Sequence, residues 1–204
     1  MAESDRKADL RGYLQSGRDA LLWKVDGLSE YDVRRPLTPT GTNLLGLVKH
    51  LACVEVGYFG DTFGRPFPGA LPWDESDPNS DMFAAPDESR EFITRLYRRA
   101  WAHSDATIEA LDLDATGNVP WWPAGRNPVT LHRMLVRVVA ETSQHAGHAD
   151  ILREQIDGMA GLAASRPVLP SDDQSWWAAH YDRVERAARE AAAASETNGA
   201  EGQL

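Results

Sequence analysis

Residues 130–157 read TLHRMLVRVVAETSQHAGHADILREQID, and this stretch decides the fold. Leu131, Leu135, Val138, Val139, Ala146, Ala149 and Leu152 recur at close to 3.6-residue spacing, which predicts one long amphipathic helix. Asn127-Pro128 ahead of it is a turn signal, Thr130 can cap its first turn, and Gly158 can end it. The same helix carries Glu141, His145 and His148, three side chains with metal affinity. At about 100° per residue, His145 projects about 40° to one side of Glu141 and His148 about 20° to the other. Val138, Ala149 and Leu152 flank this stripe, so it is expected to face the interior. There a carboxylate and imidazoles need hydrogen bonds, a countercharge or a metal.

Three further helices are predicted upstream. Lys7 to Leu28 carries the stripe Leu10, Tyr13, Leu14, Leu21, Leu22 and Val25. Thr42 to Thr62 carries Leu44, Leu47, Val48, Leu51, Val54 and Phe59, with Thr42 as a plausible N-cap. Gly46, Gly57 and Gly60 weaken this second helix intrinsically, so they mark close packing or ligand approach. Asp87 to Leu111 turns Phe92, Leu96, Ala100, Thr107 and Leu111 inward. The connections are long. Gly64 to Pro86 holds five prolines, a length that is usually functional or mobile in a compact domain. Asp112 to Pro128 contains VPWWPAG, a stiff aromatic wall that serves as a lid or as a plug over the core. A short helix from Asp172 to Ala188 bears Trp176, Trp177 and Tyr181, and the composition of the last residues predicts disorder. No alternation is long enough to build a sheet. The expected architecture is all-α, a four-helix bundle with long connections and a short C-terminal helix, one domain over residues 1–185 and a disordered tail over 186–204.

The chain has 204 residues, 42% of them hydrophobic, enough for one domain with a substantial core. A formal net charge of −10 without any basic block argues against nucleic acid and anionic membranes as partners. No apolar run approaches a membrane span, and MAESDRKADL does not read as a signal peptide. A single cysteine excludes an internal disulfide framework and suits a reducing cytoplasm.

His50 lies mid-helix in LVKHLACVE between Leu47, Leu51 and Val54, a setting that turns it inward. Together with Glu141 and His145 it makes two imidazoles and one carboxylate from two helices. That set suits Zn first, then Ni or Fe, and leaves coordination positions open for water or substrate. Cys53, three residues on, reads as a small buried hydrophobe. His132 is turned about 220° from His145 towards solvent, and His103 and His180 have no partners at ligand spacing. No nucleophile elbow, phosphate loop or dinucleotide fingerprint is present.

TNLLGLVKHLACVEVGYFG followed by TLHRMLVRVVAETSQHAGHADILRE resembles the DinB/YfiT-like metalloenzyme superfamily, and within it the branch of mycothiol-dependent, maleylpyruvate isomerase-like proteins. The resemblance covers residues 5 to 185. It implies His50, Glu141 and His145 as metal ligands, with Glu141 where many relatives place His. His148 falls where many relatives have Gln, which implies a neighbour of the ligands or a catalytic acid/base. It further implies a divalent metal and mycothiol or a similar thiol as cosubstrate, used for S-transfer to, or isomerisation of, a small molecule. A homodimer is compatible with this expectation. A metal-dependent hydrolase using bound water, or a stress-linked metal- or ligand-binding protein without turnover, are the alternatives.

Overall fold

The computed structural model describes residues 3–74 and 76–201. The chain divides into two compact units, one ending at Val168 and the other beginning at Leu169. In the first unit α1 (Glu3–Trp23), α3 (Leu44–Glu55), α4 (Arg90–Ala110) and α5 (Leu131–Asp157) form a four-helix bundle. A single turn of helix, α2 (Glu30–Arg34), interrupts the first connection. Helix α1 packs along α5 and α3 along α4, and α3 also meets α5. Their facing stripes make the core, with Leu14, Leu21, Leu44, Leu47, Leu51, Ile93, Tyr97, Leu135, Val138 and Ala149 fully buried. Burial of each large aliphatic among these contributes about 1.5–3 kcal/mol. The described residues hold only two small antiparallel ladders, Thr116–Gly117 with Val129–Thr130 and Gly161–Ala163 with Arg166–Pro167.

The organising helix has the expected caps. The Thr130 hydroxyl accepts from the Arg133 N–H, and Gly158 closes α5 at φ 77 in the left-handed region. Elsewhere the boundaries move for local reasons. Asn43, not Thr42, caps α3, its Oδ1 accepting from the Gly46 N–H. Ser89 caps α4 by accepting from Phe92 N, so the inward stripe runs Ile93, Leu96, Tyr97, Ala100, Ser104, Thr107 and Ile108. Phe92 falls beside that stripe and is 38% exposed rather than inward. Beyond Glu55 the helix widens into a π turn, Val56–Gly60, and tightens into the 3₁₀ turn Asp61–Phe63 before Gly64 stops it. In the second unit α6 runs Gln174–Glu201, and residues 202–204 of the expected tail lie outside the described residues.

Candidate metal centre

The site is built where α3 and α5 touch. Helix α3 presents His50, and α5 presents Glu141 and His145 one turn apart on its α3-facing side. One ligand atom from each of the three lies within 4.8 Å of the others. Glu141 Oε1 stands 3.6 Å from His50 Nε2 and 3.3 Å from His145 Nε2. The two rings meet edge to face at 4.9 Å between centroids. All three side chains are partly screened, at 20%, 27% and 12% exposure in chain order, so the cluster is open on one side. The expected convergence of these residues is therefore present in the structure. His148 is different: it lies on the exposed rim, not inward, with its Nδ1 3.3 Å from His145 Nδ1.

A tetrahedral ion with bonds of about 2.0–2.2 Å would hold neighbouring donors about 3.3–3.6 Å apart, and the two Glu141–imidazole separations match that spacing. The donor set, two imidazoles and one carboxylate, fits a divalent ion with at least one open position.

A fourth residue completes the cluster, one that sequence patterns did not single out. Asp81, from the proline-rich connection, accepts a hydrogen bond from His50 Nδ1 at 2.7 Å through its Oδ2. Asp81 is itself buried. A carboxylate on the far nitrogen fixes the tautomer and leaves the Nε2 lone pair facing the cluster. The loop is drawn in by α3. Asn43 Nδ2 donates to the Met82 carbonyl at 3.1 Å, and that carbonyl lies so close to Gly46 that any Cβ there would collide with it. The only sequence hint was the length of the connection.

Electrostatics follow from this arrangement. Burial alone would lower the His50 pKa, but the Asp81 hydrogen bond and charge, with Glu141 behind them, raise it above its ordinary value. His145 is lowered, first by burial and then by the facing His50 ring, against the pull of Glu141. Cys53 is half-buried rather than buried, and burial, assisted by Asp81, pushes its thiol up to about 12. His132 is exposed, as expected. His103 Nε2 contacts the Arg65 carbonyl at 2.8 Å, away from the cluster. In the second unit His180 stacks on Trp176 at 5.3 Å.

The aromatic loop supplies one wall of the first unit. Asn127 ties it shut, exchanging two hydrogen bonds with the Val119 backbone. Trp121 lies over the π turn at Gly57, where a Cβ would come within 2.7 Å of the indole, and both Trp121 and Trp122 meet Tyr58 edge to face. The profile of a protein family, mycothiol-S-transferase, matches residues 9–158. The chain belongs to the mycothiol-S-transferase family. The matched span takes in α3, the Asp81 connection, the aromatic loop and all of α5. It places this mycothiol-S-transferase family member in the mycothiol-related branch of the DinB/YfiT-like proteins. No curated protein matches the chain. Among the described residues no helix is long and apolar enough to cross a membrane.

Proposed function

We propose that the protein joins a low-molecular-weight thiol, mycothiol, to a small electrophile in the cytoplasm. His50, Glu141 and His145 would hold a divalent metal, Zn in the first instance and Ni or Fe next. The observation that carries this reading is the Glu141 carboxylate standing 3.6 and 3.3 Å from two imidazoles on different helices, a spacing that suits donors around one ion. A divalent ion bound there supplies the positive charge that keeps a thiol deprotonated at neutral pH.

The chain's own residues supply the remainder. Asp81 holds the His50 ring by its Nδ1–H, so Nε2 remains a donor. With His145 using Nε2 in the same way, its Nδ1–H donates to His148 Nδ1, which leaves the His148 hydrogen on Nε2, towards solvent. Exposed at the mouth of the site, His148 can act as a proton donor once it has taken a second proton from solvent and become the imidazolium. In addition to an activated double bond, sulfur forms the C–S bond, the π pair moves to the neighbouring carbon, and that carbon takes a proton from His148 or water. In displacement, the leaving group departs with the bonding pair. Net S-transfer consumes the thiol, whereas isomerisation would return it.

One titration series tests the reading. Purified protein is reconstituted with Zn, and metal content and thiol consumption are followed with a panel of small electrophiles, with and without mycothiol. His50→Ala and His145→Ala are expected to lose the metal while the bundle stays folded by circular dichroism. Glu141→Ala should weaken metal binding at least tenfold, about 1.4 kcal/mol, and His148→Ala should keep the metal and lose turnover. Turnover without thiol would replace S-transfer by hydrolysis, and a wild-type protein that holds no divalent metal after reconstitution would sink the site.

A further inference from the structure

One face of α5 is left uncovered by the bundle. Arg133, Val136, Ala140, Gly147, Ile151 and Glu154 are all exposed, Val136 at 47% and Ile151 at 57%. At about 100° per residue these six fall within an arc of about 60°, diametrically opposite the buried Leu131, Val138 and Ala149. Isolated exposed aliphatics are ordinary on a protein surface. Here the two lie on one line about four turns apart, with Ala140 and Gly147 between them and Ser143 and Gln144 at its edges.

Gly147 adds a second observation. Glycine in mid-helix costs about 1 kcal/mol relative to alanine, and close approach of another backbone is what its missing side chain permits. In Gly46 and Gly57 that approach is made within the chain, by the Met82 carbonyl and the Trp121 ring. At Gly147 a Cβ would meet nothing within 4 Å.

The face is complementary to its own reverse. Two copies of α5 laid antiparallel about a two-fold axis between Ser143 and Gln144 set Val136 against the partner's Ile151. The same register sets Ala140 against the partner's Gly147 and Arg133 against the partner's Glu154, and each pairing occurs twice. Among the described residues Arg133 and Glu154 enter no ion pair. Arg133 donates to the Arg126 carbonyl at 3.4 Å and stands 5.4 Å from the Trp122 ring centre. A parallel arrangement would instead oppose Arg133 to Arg133 and Glu154 to Glu154, which repel. Small residues at the centre let the helix axes approach to about 8 Å, the short end of helix packing. Antiparallel packing also opposes the two helix dipoles favourably.

We infer that the exposed face of α5 is an interface between two copies of this chain, packed antiparallel about a two-fold axis at Ser143 and Gln144. The face is about 32 Å long and about 10 Å wide. From two copies this falls at the small end of specific interfaces, so the dimer is reversible and depends on concentration. It stands apart from the proposed reaction, because the metal cluster faces α3.

Sedimentation velocity of the full-length protein from about 1 μM to about 1 mM, the span of reversible association, tests it. The parent protein is expected to pass from monomer to dimer across that range. Gly147→Arg sends its side chain into open space in the monomer, and arginine is the better helix former. It should keep the circular dichroism of the parent and remain monomeric throughout. Arg133→Glu should weaken the dimer by about tenfold, through two lost ion pairs and two new repulsions. The double variant Arg133→Glu, Glu154→Arg should return it to within about threefold of the parent, since the reversed charges pair again. A parent protein that is monomeric at every concentration overturns the inference. So does a dimer that survives Gly147→Arg, which would use another surface. A double variant no tighter than Arg133→Glu overturns the register, and should Gly147→Arg fail to fold, this charge exchange decides alone.

Discussion

Among the polar clusters that bridge helices of this bundle, two are built on opposite principles. Arg18 of α1 meets Glu55 of α3 with two charge-assisted hydrogen bonds of 2.8 and 2.5 Å, and a third, to Asp105, closes at 3.0 Å. Arg18 and Glu55 are essentially without solvent contact. Burial pushes the Glu55 carboxyl up while the facing guanidinium pulls it back, and Arg18 is held above its ordinary value, burial being outweighed by Glu55 and Asp105. Five residues before Glu55 on α3, His50 belongs to the other cluster, whose imidazoles stand 3.3 and 3.6 Å from one carboxylate oxygen and keep an open side. The first cluster uses its charges on one another. The second leaves them at longer separations, with ring partners on the outer nitrogens.

The largest effect that separates them is on stability. Arg18→Ala leaves Glu55 buried without a partner and should cost about 3–5 kcal/mol, read from urea unfolding of the metal-free protein, while the protein that remains folded binds metal as before. A loss under about 1 kcal/mol would mean that water enters the pair and the contrast fails.

Next in size is Asp81→Ala. The change removes the hydrogen bond that fixes the His50 tautomer and should weaken metal binding by about 10–100-fold, the usual range for partners of metal-ligating histidines. Unfolding free energy should change much less than for Arg18→Ala. If metal affinity is unmoved, His50 is oriented by α3 packing alone.

The smallest effect is that of pH. A protonated His50 cannot bind metal, and its pKa is raised by Asp81 and Glu141 against the opposing effect of burial. Metal affinity should therefore fall as pH drops through that raised value, by at most about tenfold per unit for one proton, with His145, whose pKa is lowered, joining only at more acid pH. In the metal-free protein the sign reverses for stability: the raised His50 pKa stabilises the fold below the unfolded value, and this is lost as pH rises through the folded one. Metal titrations at pH 6, 7 and 8 check the first statement, and in Asp81→Ala the onset should move to lower pH.

The amino-acid sequence by itself determined the bundle and most of the candidate donor set. Helical periodicity is a local property, so α5 with its Thr130 and Gly158 caps could be read from residues 130–157 alone, and the i, i+4 spacing of Glu141 and His145 on one side follows from 3.6 residues per turn. That His50 turns inward could be read from its apolar neighbours. Tertiary structure alone decided the rest. Asp81 is 31 positions from His50 and reaches it because Asn43 and the missing Cβ of Gly46 admit the Met82 backbone, a contact that leaves no periodic trace. His148 shares the stripe with His145 by angle, yet lies at the rim because α3 covers only the part of α5 facing it. Arg126, Arg133 and Arg137 are unexceptional in sequence, and they gather around one ring only when the loop carrying Trp122 folds back over α5. Spacing along a helix is set by its backbone hydrogen bonds, whereas which loop covers which turn is set by long-range packing.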